Sequence, residues 1–433
     1  MLSAFTRAFK TPDLRKKLLF TIFIIGLFRL GSQMPTPGID TGAIRDAQAQ
    51  VQGNSVYQLV NLFSGGALLQ LSVFALGIMP YITASIILQL LTVVIPRLEQ
   101  LRKEGQAGQT KITQYTRYLT IGLAVLQATG IVAMARSGQL FQGFTQPLIP
   151  NTSIFTVVTM VITMTAGTAV IMWLGELITA RGVGNGMSLL IFTQIVAVFP
   201  AELYRIYQQR NSFVFTMVVV SGIAIVAAVV FVEQAQRRIP VQYAKRMVGR
   251  RMYGGTSTYI PLKVNQAGVI PVIFASSLLY LPTLASQMWG NRDPNSSWVG
   301  WVQRYFVSGD HPVYMALYFA LIIFFTYFYV SITFNPVEVS DNMKKYGGFI
   351  PGIRPGRPTA EYLNYVLTRL TAPGSMYLGL VALIPMVALS VAGATQNFPF
   401  GGTSILIIVG VGLDTVKQIE SQLQQRNYEG FLR

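Results

Sequence analysis

The sequence contains no cysteine, and His311 is the single histidine among its 433 residues. A chain without cysteine forms no disulfide framework and no thiolate metal site. One histidine supplies neither a cluster of imidazole ligands nor the Ser-His and Cys-His pairs of nucleophilic enzymes. The phosphate-binding Gly-Lys-Ser/Thr loop of nucleotide hydrolases is also missing. We therefore predict no metal, no cofactor and no catalytic residue.

Charged residues are scarce as well, at 11% of the chain, whereas 52% of the residues are hydrophobic. A soluble domain carries about 25% charged residues, roughly twice this fraction. So few charges cannot cover the surface of a water-soluble protein of this length. The composition therefore predicts a polytopic membrane protein.

Ten apolar runs have the character of membrane-spanning helices, for which about 20 mostly apolar residues cross roughly 30 Å of hydrocarbon. The runs are Leu18–Leu30, Val73–Ile95, Tyr118–Ala135, Ile154–Leu174, Met187–Leu203, Phe213–Val232, Val269–Met288, Val313–Phe334, Met376–Ala392 and Ser404–Leu413. We expect an all-α bundle of ten transmembrane helices, with boundaries uncertain by several residues.

The basic residues are distributed unequally between the two sides of such a bundle. An even number of spans places both termini on one side, and the loops of that side hold 26 of the 33 Lys and Arg residues. The loops of the other side hold six, and Arg29 lies at the end of the first run. Loops rich in Lys and Arg stay in the cytoplasm. Both termini are therefore predicted to be cytoplasmic.

Two loops on the basic side carry more than orientation requires. The loop at about 233–265 has seven basic residues and one acidic residue. The loop at about 335–371 contains Lys344-Lys345 and a run rich in proline and glycine, 352–358, which predicts turns. Charge alone leaves an anionic lipid surface, an RNA or an acidic protein face open as the partner.

Five runs precede the connection at 202–211 and five follow it, so a repeat of the two parts would be inverted. We accordingly predict an N-terminal half, residues 1–203, and a C-terminal half, residues 204–433. Acidic and basic residues are nearly absent from the span interiors, which argues against a proton relay. An inverted-repeat secondary transporter remains an alternative, whereas a membrane-embedded enzyme needs an acid/base or metal cluster that the sequence lacks.

The segment Asn61–Leu71 is apolar but too short to cross a membrane, and it contains Gly65-Gly66. Irregular backbone is not tolerated facing lipid, so this segment is interfacial, re-entrant or buried in protein. Ile82 and Ile86 follow on the next helix, where a spacing of four places them on one face. An apolar core helix with a flexible lead-in is the alternative interpretation.

Several short motifs follow one another along the chain. They are Asn61–Leu91, Gln114–Tyr118, Arg181–Ser188, Arg238–Ala244, Lys263–Pro271, Phe349–Gly356 and Gly401–Ser404. In this order, and over almost the whole chain, they resemble the SecY family of protein-translocation channels in its bacterial form. The resemblance implies a passive channel in the bacterial cytoplasmic membrane. Such a channel passes unfolded secretory polypeptides across the membrane and releases hydrophobic segments sideways into the lipid.

The resemblance also implies three groups of channel residues. A short re-entrant plug would close the external side, with Asn61, Phe63, Ser64, Gly65, Gly66 and Leu68. A ring of apolar side chains would form the waist, with Ile82, Ile86, Met187, Ile191, Ile273 and Ile407, or Ile408 in place of the last. A lateral gate between the second and seventh spans would be held by hydrogen bonds across it, from Thr83, Gln127, Ser276 and Ser277.

The same resemblance assigns partners to the basic loops. It implies that they dock the motor ATPase SecA, which hydrolyses the ATP, or the translating ribosome. The docking residues are Arg238, Lys245, Arg246, Arg250, Arg251, Lys344, Arg354 and Arg357. Further expected partners are the small subunits SecE and SecG, unfolded preproteins with their signal peptides, and anionic lipids.

Overall fold

The computed structural model describes residues 9–50, 66–136, 147–209, 212–243, 246–248, 251–253, 257–290, 297–302, 304–305, 311–392 and 402–430. The first seven helices are α1 (Pro12–Gln33), α2 (Thr41–Gln50), α3 (Met79–Val94), α4 (Pro96–Lys103), α5 (Gln106–Arg136), α6 (Ile154–Arg181) and α7 (Gly186–Gln209). The next seven are α8 (Ser212–Gln234), α9 (Ile270–Gly290), α10 (Ser297–Val302), α11 (Pro312–Thr333), α12 (Pro336–Lys345), α13 (Arg357–Ala392) and α14 (Gly402–Gly430). The strands are β1 (Gln236–Tyr243), β2 (Arg246–Val248), β3 (Arg251–Tyr253), β4 (Ser257–Lys263) and β5 (Gly348–Phe349).

Each of the ten apolar runs overlaps one helix, which is α1, α3, α5, α6, α7, α8, α9, α11, α13 or α14. By length and hydropathy, four helical stretches of the described chain are able to span a membrane alone, and the bent pair α3–α4 makes a fifth. Shorter apolar stretches occur in α7, α8 and α9. The protein therefore has several membrane-spanning helices, and the count of ten stays a prediction.

Local sequence explains where several helices begin. Ser153 precedes α6, and its hydroxyl oxygen accepts a hydrogen bond from the Thr156 N–H at 3.3 Å. His311, the lone histidine, caps α11 in the same way through Nδ1, with Pro312 as the first helical residue. A side-chain acceptor and a proline at the first turn satisfy N–H groups that have no partner within the helix.

The helices pack as two sets that meet along two lines. In the first set α3 packs on α5, α5 on α6, and α6 on both α1 and α7. In the second set α9 packs on α11, α11 on α13, and α13 on α14. One meeting line, here named the seam, is the contact of α9 with α3 and α5, and the other joins α7 to α8 and α14. The inverted relation between the two halves stays a prediction.

Helix α3 begins six residues later than the apolar run Val73–Ile95 suggested. Residues 66–78 form consecutive turns, and Pro80 lies in the first turn of the helix. Two of the turn residues, Leu71 (φ 46°) and Gly77 (φ 57°), have left-handed backbone conformations, which interrupt a right-handed helix. Hydropathy does not detect such an interruption because turn residues buried in protein are as apolar as helical ones.

The expectation of an all-α chain needs one correction, since the first basic loop folds into antiparallel strands. Strand β1 pairs with β4 in a register that places Ile239 opposite Ile260, and β5 adds to the other edge of β1. Ile239 and Val241 are buried, whereas Arg238 and Pro240 are exposed. Alternation of buried and exposed residues is typical of a sheet with one covered face. The charge of the loop predicts an exposed basic segment, and only its period-two alternation predicts strands.

The second basic loop is also more regular than predicted. The part at 335–371 contains α12, β5 and the first turns of α13, and only residues 351–356 form the expected turns. Gly352 (φ 84°) and Gly356 (φ 100°) adopt left-handed conformations there, as a glycine-rich turn requires. Apolar side chains of α12, α13 and the β5 edge pack onto the sheet in one cluster, Ile239, Val241, Leu262, Met343, Ile350, Leu363 and Val366. We name this cluster and its elements the basic-face module.

Candidate functional site

Apolar side chains from four helices belong to one buried core. Ile82 and Ile86 of α3, Ile191 of α7, Ile273 of α9 and Ile407 of α14 are members of the same continuous cluster, and each is at most 8% exposed. Five of the six positions proposed for the ring therefore lie in this core. Their role as a ring stays a proposal, which their shared burial supports.

The sixth ring position, Met187, is half-buried and packs against the same cluster from α7. Its Sδ lies beside α6, because a Cβ added to Gly175 would stand 2.6 Å from that sulfur. The alternative position on α14, Ile408, is half-buried and also contacts the cluster. Both Ile407 and Ile408 therefore remain available to the ring.

The turns at 66–78 lie between the residues that follow α1 and helix α6. The carbonyl of Leu71 accepts hydrogen bonds from the Thr36 N–H (3.1 Å) and hydroxyl (2.7 Å). The Val73 N–H donates to the Met34 carbonyl at 2.8 Å. On the opposite side Gly167 of α6 lies directly against the Val73 carbonyl. This segment is therefore pinned by backbone bonds on one side and by close packing on the other.

The plug prediction falls partly on this segment. Leu68 is buried and Gly66 is half-buried, and Gly66 has a left-handed conformation (φ 89°) that suits a turn. The other four predicted plug residues, Asn61, Phe63, Ser64 and Gly65, lie outside the described residues. The described part shows an apolar, non-helical segment buried in protein, which is one of the arrangements that the sequence left open.

The four predicted gate residues lie on the helices that form the seam. Thr83 is on α3, Gln127 on α5, and Ser276 and Ser277 are on α9. The hydrogen bonds expected across the seam are not formed by the two bonded hydroxyls: Thr83 donates to the Met79 carbonyl, and Ser276 to the carbonyls of Val272 and Ile273. Ser277 Oγ is buried without a partner.

That expectation was wrong for Thr83 and Ser276 because a hydroxyl in a helix readily bonds the carbonyl one turn earlier. Polar residue type in a sequence does not reveal whether the partner lies on the same helix or on a neighbour. Among the described residues, a bond that does reach between the two helix sets is that of Arg102 in α4, whose Nη2 donates to the Ile332 carbonyl of α11 at 2.8 Å.

An ion pair that the sequence did not predict joins α5 and α6. Arg117 donates from Nε and Nη2 to the two carboxylate oxygens of Glu176, at 2.9 and 2.8 Å. The side chains are 41% and 25% exposed. The antiparallel order of α5 and α6 brings the start of one helix beside the end of the other. A base near the start of one run and an acid near the end of the next were the available signals.

A second missed group lies where α8 ends and α9 begins. Asn265 donates from Nδ2 to Glu233 Oε1 at 2.6 Å and to the Gly268 carbonyl at 3.1 Å, and both side chains are buried. Nearby, Lys263 Nζ and Asp414 Oδ1 of α14 form an ion pair of 3.2 Å. These contacts tie the end of β4 to helices on both sides of it.

The basic-face module presents several of the predicted docking residues to solvent. Arg354 is exposed on the turn at 351–356, whose backbone is held by the Thr359 hydroxyl on the Arg354 carbonyl (2.8 Å) and the Ser340 hydroxyl on the Gly356 carbonyl (2.6 Å). A fixed turn therefore carries a free-standing guanidinium side chain at its surface.

The remaining docking residues differ in what the structure describes. The exposed Arg238 guanidinium lies over the Tyr259 ring, 4.8 Å from its centre, a cation–π contact between neighbouring strands. Lys344 is exposed at the end of α12, and Arg357 pairs with Glu361 on α13. Two positions, Arg246 and Arg251, lie on the paired strands β2 and β3, and two others, Lys245 and Arg250, lie outside the described residues.

Comparison with known proteins gives a consistent result along the whole chain. The family model named SecY matches residues 72–416. The protein translocase subunit SecY of Streptomyces galbus is 67% identical over 440 residues, and that of Mycobacterium tuberculosis strain H37Rv is 62% identical over 442 residues. In both comparisons the aligned region covers 100% of each chain.

Solved structures share the fold at lower identity. One described as "The structure of a protein conducting channel" has a TM-score of 0.65 at 19% identity, covering 94% of this chain and 91% of that one. Another, described as Sec61 in the canine ribosome–channel complex from the endoplasmic reticulum, has a TM-score of 0.63 at 18% identity with the same coverage. These similarities concern the fold of the bundle described above.

Proposed function

The chain belongs to the SecY family, and we propose that it forms a protein-conducting channel that passes unfolded secretory polypeptides across the membrane and releases hydrophobic segments sideways into the lipid. The observation that carries this proposal is the buried apolar cluster to which isoleucines of α3, α7, α9 and α14 all belong.

An apolar constriction suits the passage of polypeptides of any sequence. Ile82, Ile191 and Ile273 offer no hydrogen-bonding group, so a sliding chain finds no side chain that retains it. A narrow hydrophobic passage also dewets, which opposes the leakage of ions. The ring of Ile82, Ile86, Met187, Ile191, Ile273 and Ile407 would therefore conduct a chain and still resist ions.

The buried segment at 66–78 supports a plug that begins near Asn61. Backbone bonds to Thr36 and Met34 hold its C-terminal part in place, so movement of the plug would hinge at this pinned region. The seam of α9 with α3 and α5 supports a lateral gate, because a hydrophobic segment leaving there passes between two helices of different sets.

The exposed basic residues of the basic-face module support docking of the motor ATPase SecA or the translating ribosome. An arginine on a stiff turn loses little conformational freedom when it meets an acidic groove or a phosphate. Arg354 has this geometry, whereas Arg357 already pairs with Glu361 on its own helix. In this proposal SecA hydrolyses the ATP, and the chain itself acts as a passive conduit without a catalytic site.

We place the protein in the bacterial cytoplasmic membrane with both termini in the cytoplasm, on the strength of the basic-residue bias and the bacterial relatives. The small subunits SecE and SecG would complete the complex, and anionic lipids would contact the basic loops. The halves 1–203 and 204–433 would form two sides of a clamp around the ring.

The test uses proteoliposomes that contain the chain, its two small subunits and purified SecA. An unfolded secretory precursor is added with ATP, and its protection from external protease is measured. We expect ATP-dependent protection, a loss of most of it in Arg354→Glu, and little change in the charge reversal Arg97→Glu, at an exposed arginine that is not among the docking residues.

Protection that survives Arg354→Glu would keep the channel and remove the docking role of that residue. An absence of protection, with correctly oriented protein and active SecA, would contradict the channel, and uptake of small solutes would then test the transporter alternative.

A further inference from the structure

Helix α4 packs on α3 and α5 of the first helix set. One of its arginines binds the end of a helix in the second set. Nη2 of Arg102, in α4, donates to the carbonyl oxygen of Ile332, in α11, at 2.8 Å, across 230 positions of the chain. Helix α4 follows α3 after a bend of 100°, so it reaches away from the bundle axis at the basic face. The arginine therefore bridges the two sets outside the apolar core.

The acceptor is one that this helix cannot satisfy by itself. Helix α11 ends at Thr333, and the last four carbonyls of an α-helix have no partner within the helix. The Phe334 N–H donates to the Val330 carbonyl at 3.1 Å, and the Arg102 guanidinium donates to the carbonyl of Ile332. A cation at this end also meets the negative end of the helix dipole. The contact thus combines a hydrogen bond with a charge–dipole attraction.

The bond joins elements of the proposed lateral gate to elements of the proposed docking surface. On the first side, α4 continues α3, which carries Thr83 and the two ring residues of the seam. On the second side, α11 continues through Phe334 into α12 of the basic-face module, which leads to the turn of Arg354. Phe334 packs in that module and also beside Ala267 and Leu367, so the joint between α11 and α12 is firmly held.

We propose that Arg102 is a positioning residue of the channel, a latch that holds the seam closed until a partner bound to the basic-face module displaces the end of α11. The proposal rests on the function proposed above. A contact made only in the closed arrangement shifts the equilibrium between closed and open forms by its own free energy. Its removal therefore favours opening without any change in the ring, the plug or the docking residues.

The first test compares Arg102→Ala with Lys103→Ala in the proteoliposome assay, with one precursor that has an intact signal and one whose signal is weakened. The neighbouring lysine is a matched control, because its ammonium pairs with Glu99 at 2.7 Å within α4 and lowers the pKa of that carboxyl group. Both variants lose one positive charge from the same helix, but only Arg102→Ala loses the bond to α11.

We expect Arg102→Ala to raise the transport of the weak-signal precursor about two- to five-fold, the range that corresponds to a charge at a helix terminus. Transport of the intact-signal precursor and both values for Lys103→Ala should stay at those of the parent. Arg102→Lys should restore most of the parent behaviour, because an ammonium group also donates to a carbonyl. Equal transport of the weak-signal precursor by Arg102→Ala and Lys103→Ala would overturn the latch.

The second test needs no transport. Spin labels are attached to the complex through Gln100→Cys in α4 and Asn342→Cys in α12, which are exposed and carry no charge. Since the chain has no cysteine of its own, these are the two sites of this chain that react. We expect the distance distribution to lengthen or broaden in Arg102→Ala and to remain unchanged in Lys103→Ala.

The two tests separate failure of the latch from failure of the proposed function. If the parent transports the intact-signal precursor and neither the weak-signal value nor the distance responds to Arg102→Ala, the latch is wrong and the channel stands. If no variant transports any precursor, the channel role fails, and the role of the latch in gating fails with it, whatever the distance shows.

Discussion

The ion pairs Arg117–Glu176 and Lys103–Glu99 differ in geometry and in exposure. Arg117 and Glu176 meet through two parallel hydrogen bonds, a geometry that fixes both side chains. Partial exposure screens this pair, so the attraction between its two charges is weaker than in a fully buried pair, while the cost of removing the charges from water is also smaller. The pair nevertheless joins neighbouring helices, whereas Glu99 and Lys103 lie on one helix and are largely exposed.

The Arg117–Glu176 pair should show measurable coupling. In a double-mutant cycle with Arg117→Ala and Glu176→Ala, we expect a coupling free energy of about 1 kcal/mol, and a smaller one for the exposed Lys103–Glu99 control pair. The measurement is unfolding in mixed micelles titrated with SDS, followed by the fluorescence of the four tryptophans. Equal coupling in the two cycles would show that the contact between helices adds nothing.

Removal of the Asn265 side chain should destabilise the protein, because the buried carboxylate of Glu233 would lose its hydrogen-bond donor. Asn265→Ala takes away the donor to Glu233, and a buried polar group that loses its partner costs about 1–3 kcal/mol, more if it is charged. The same unfolding measurement checks this, with the exposed Asn364→Ala as control, for which we expect a change within about 0.5 kcal/mol. A destabilised Asn265→Ala should regain part of its stability when Glu233→Gln removes the charge.

At the scale of elements, close approach of backbones decides the position of the segment at 66–78. Gly167 of α6 touches the Val73 carbonyl, and the rings of Phe28 and Phe74 stack with centroids 5.8 Å apart. A side chain at Gly167 would have to push the segment away from α6, since the nearest atoms belong to the Val73 backbone, which cannot rotate aside. Packing between elements, more than the propensity of the segment itself, thus keeps these turns buried.

Gly167→Ala should therefore loosen the seal of the idle channel. We expect an increased ion conductance of the purified complex in planar bilayers, because a displaced segment would no longer act as the proposed plug. Gly122→Ala is the matched control: this glycine of α5 has no atom within 4 Å of an added Cβ, and alanine favours a helix there by up to about 1 kcal/mol. A conductance of Gly167→Ala equal to that of the control would separate the packing contact from the seal.

At the scale of the whole molecule, the distribution of apolar side chains is that of a protein surrounded by lipid. Large apolar residues such as Leu30, Ile162, Phe231 and Leu380 are exposed on the outside of the bundle. A soluble monomer rarely exposes contiguous apolar surface of this kind, whereas lipid covers it without cost. The interior is apolar as well, since the isoleucines of the proposed ring belong to one buried core cluster.

A polar group in the centre should break the barrier that this arrangement provides. Ile86→Asn places an amide in the proposed ring, where it can hydrogen-bond water and oppose dewetting. We expect higher ion conductance in planar bilayers than for the parent, and Ile86→Val, which keeps the surface apolar, should remain close to the parent. If both variants conduct alike, the ring does not form the barrier.

The outcome for individual residues shows which features were predictable. The helical runs and the burial of Ile82, Ile86, Ile191, Ile273 and Ile407 followed from hydropathy and spacing, whereas their role as a ring, which the family resemblance implies, stays a prediction. The strands β1 and β4 were not predicted, because their loop is rich in basic residues and the period-two alternation within it is short. The bonds of Thr83 and Ser276 were assigned across the seam, yet each was satisfied within its own helix. In each failure the decisive partner was chosen by geometry and not by residue type.

The sequence by itself determined that the chain enters a membrane, where its helices run and which loops are basic. These properties depend on the transfer of each residue between water and lipid, and a residue carries its transfer free energy wherever it stands. Only the tertiary structure decided that Arg102 meets Ile332, that Glu233 meets Asn265 and that Gly167 supports Val73. A hydrogen bond or a close packing contact acts over a few ångströms, so it exists only once the fold has brought distant parts of the chain to that separation.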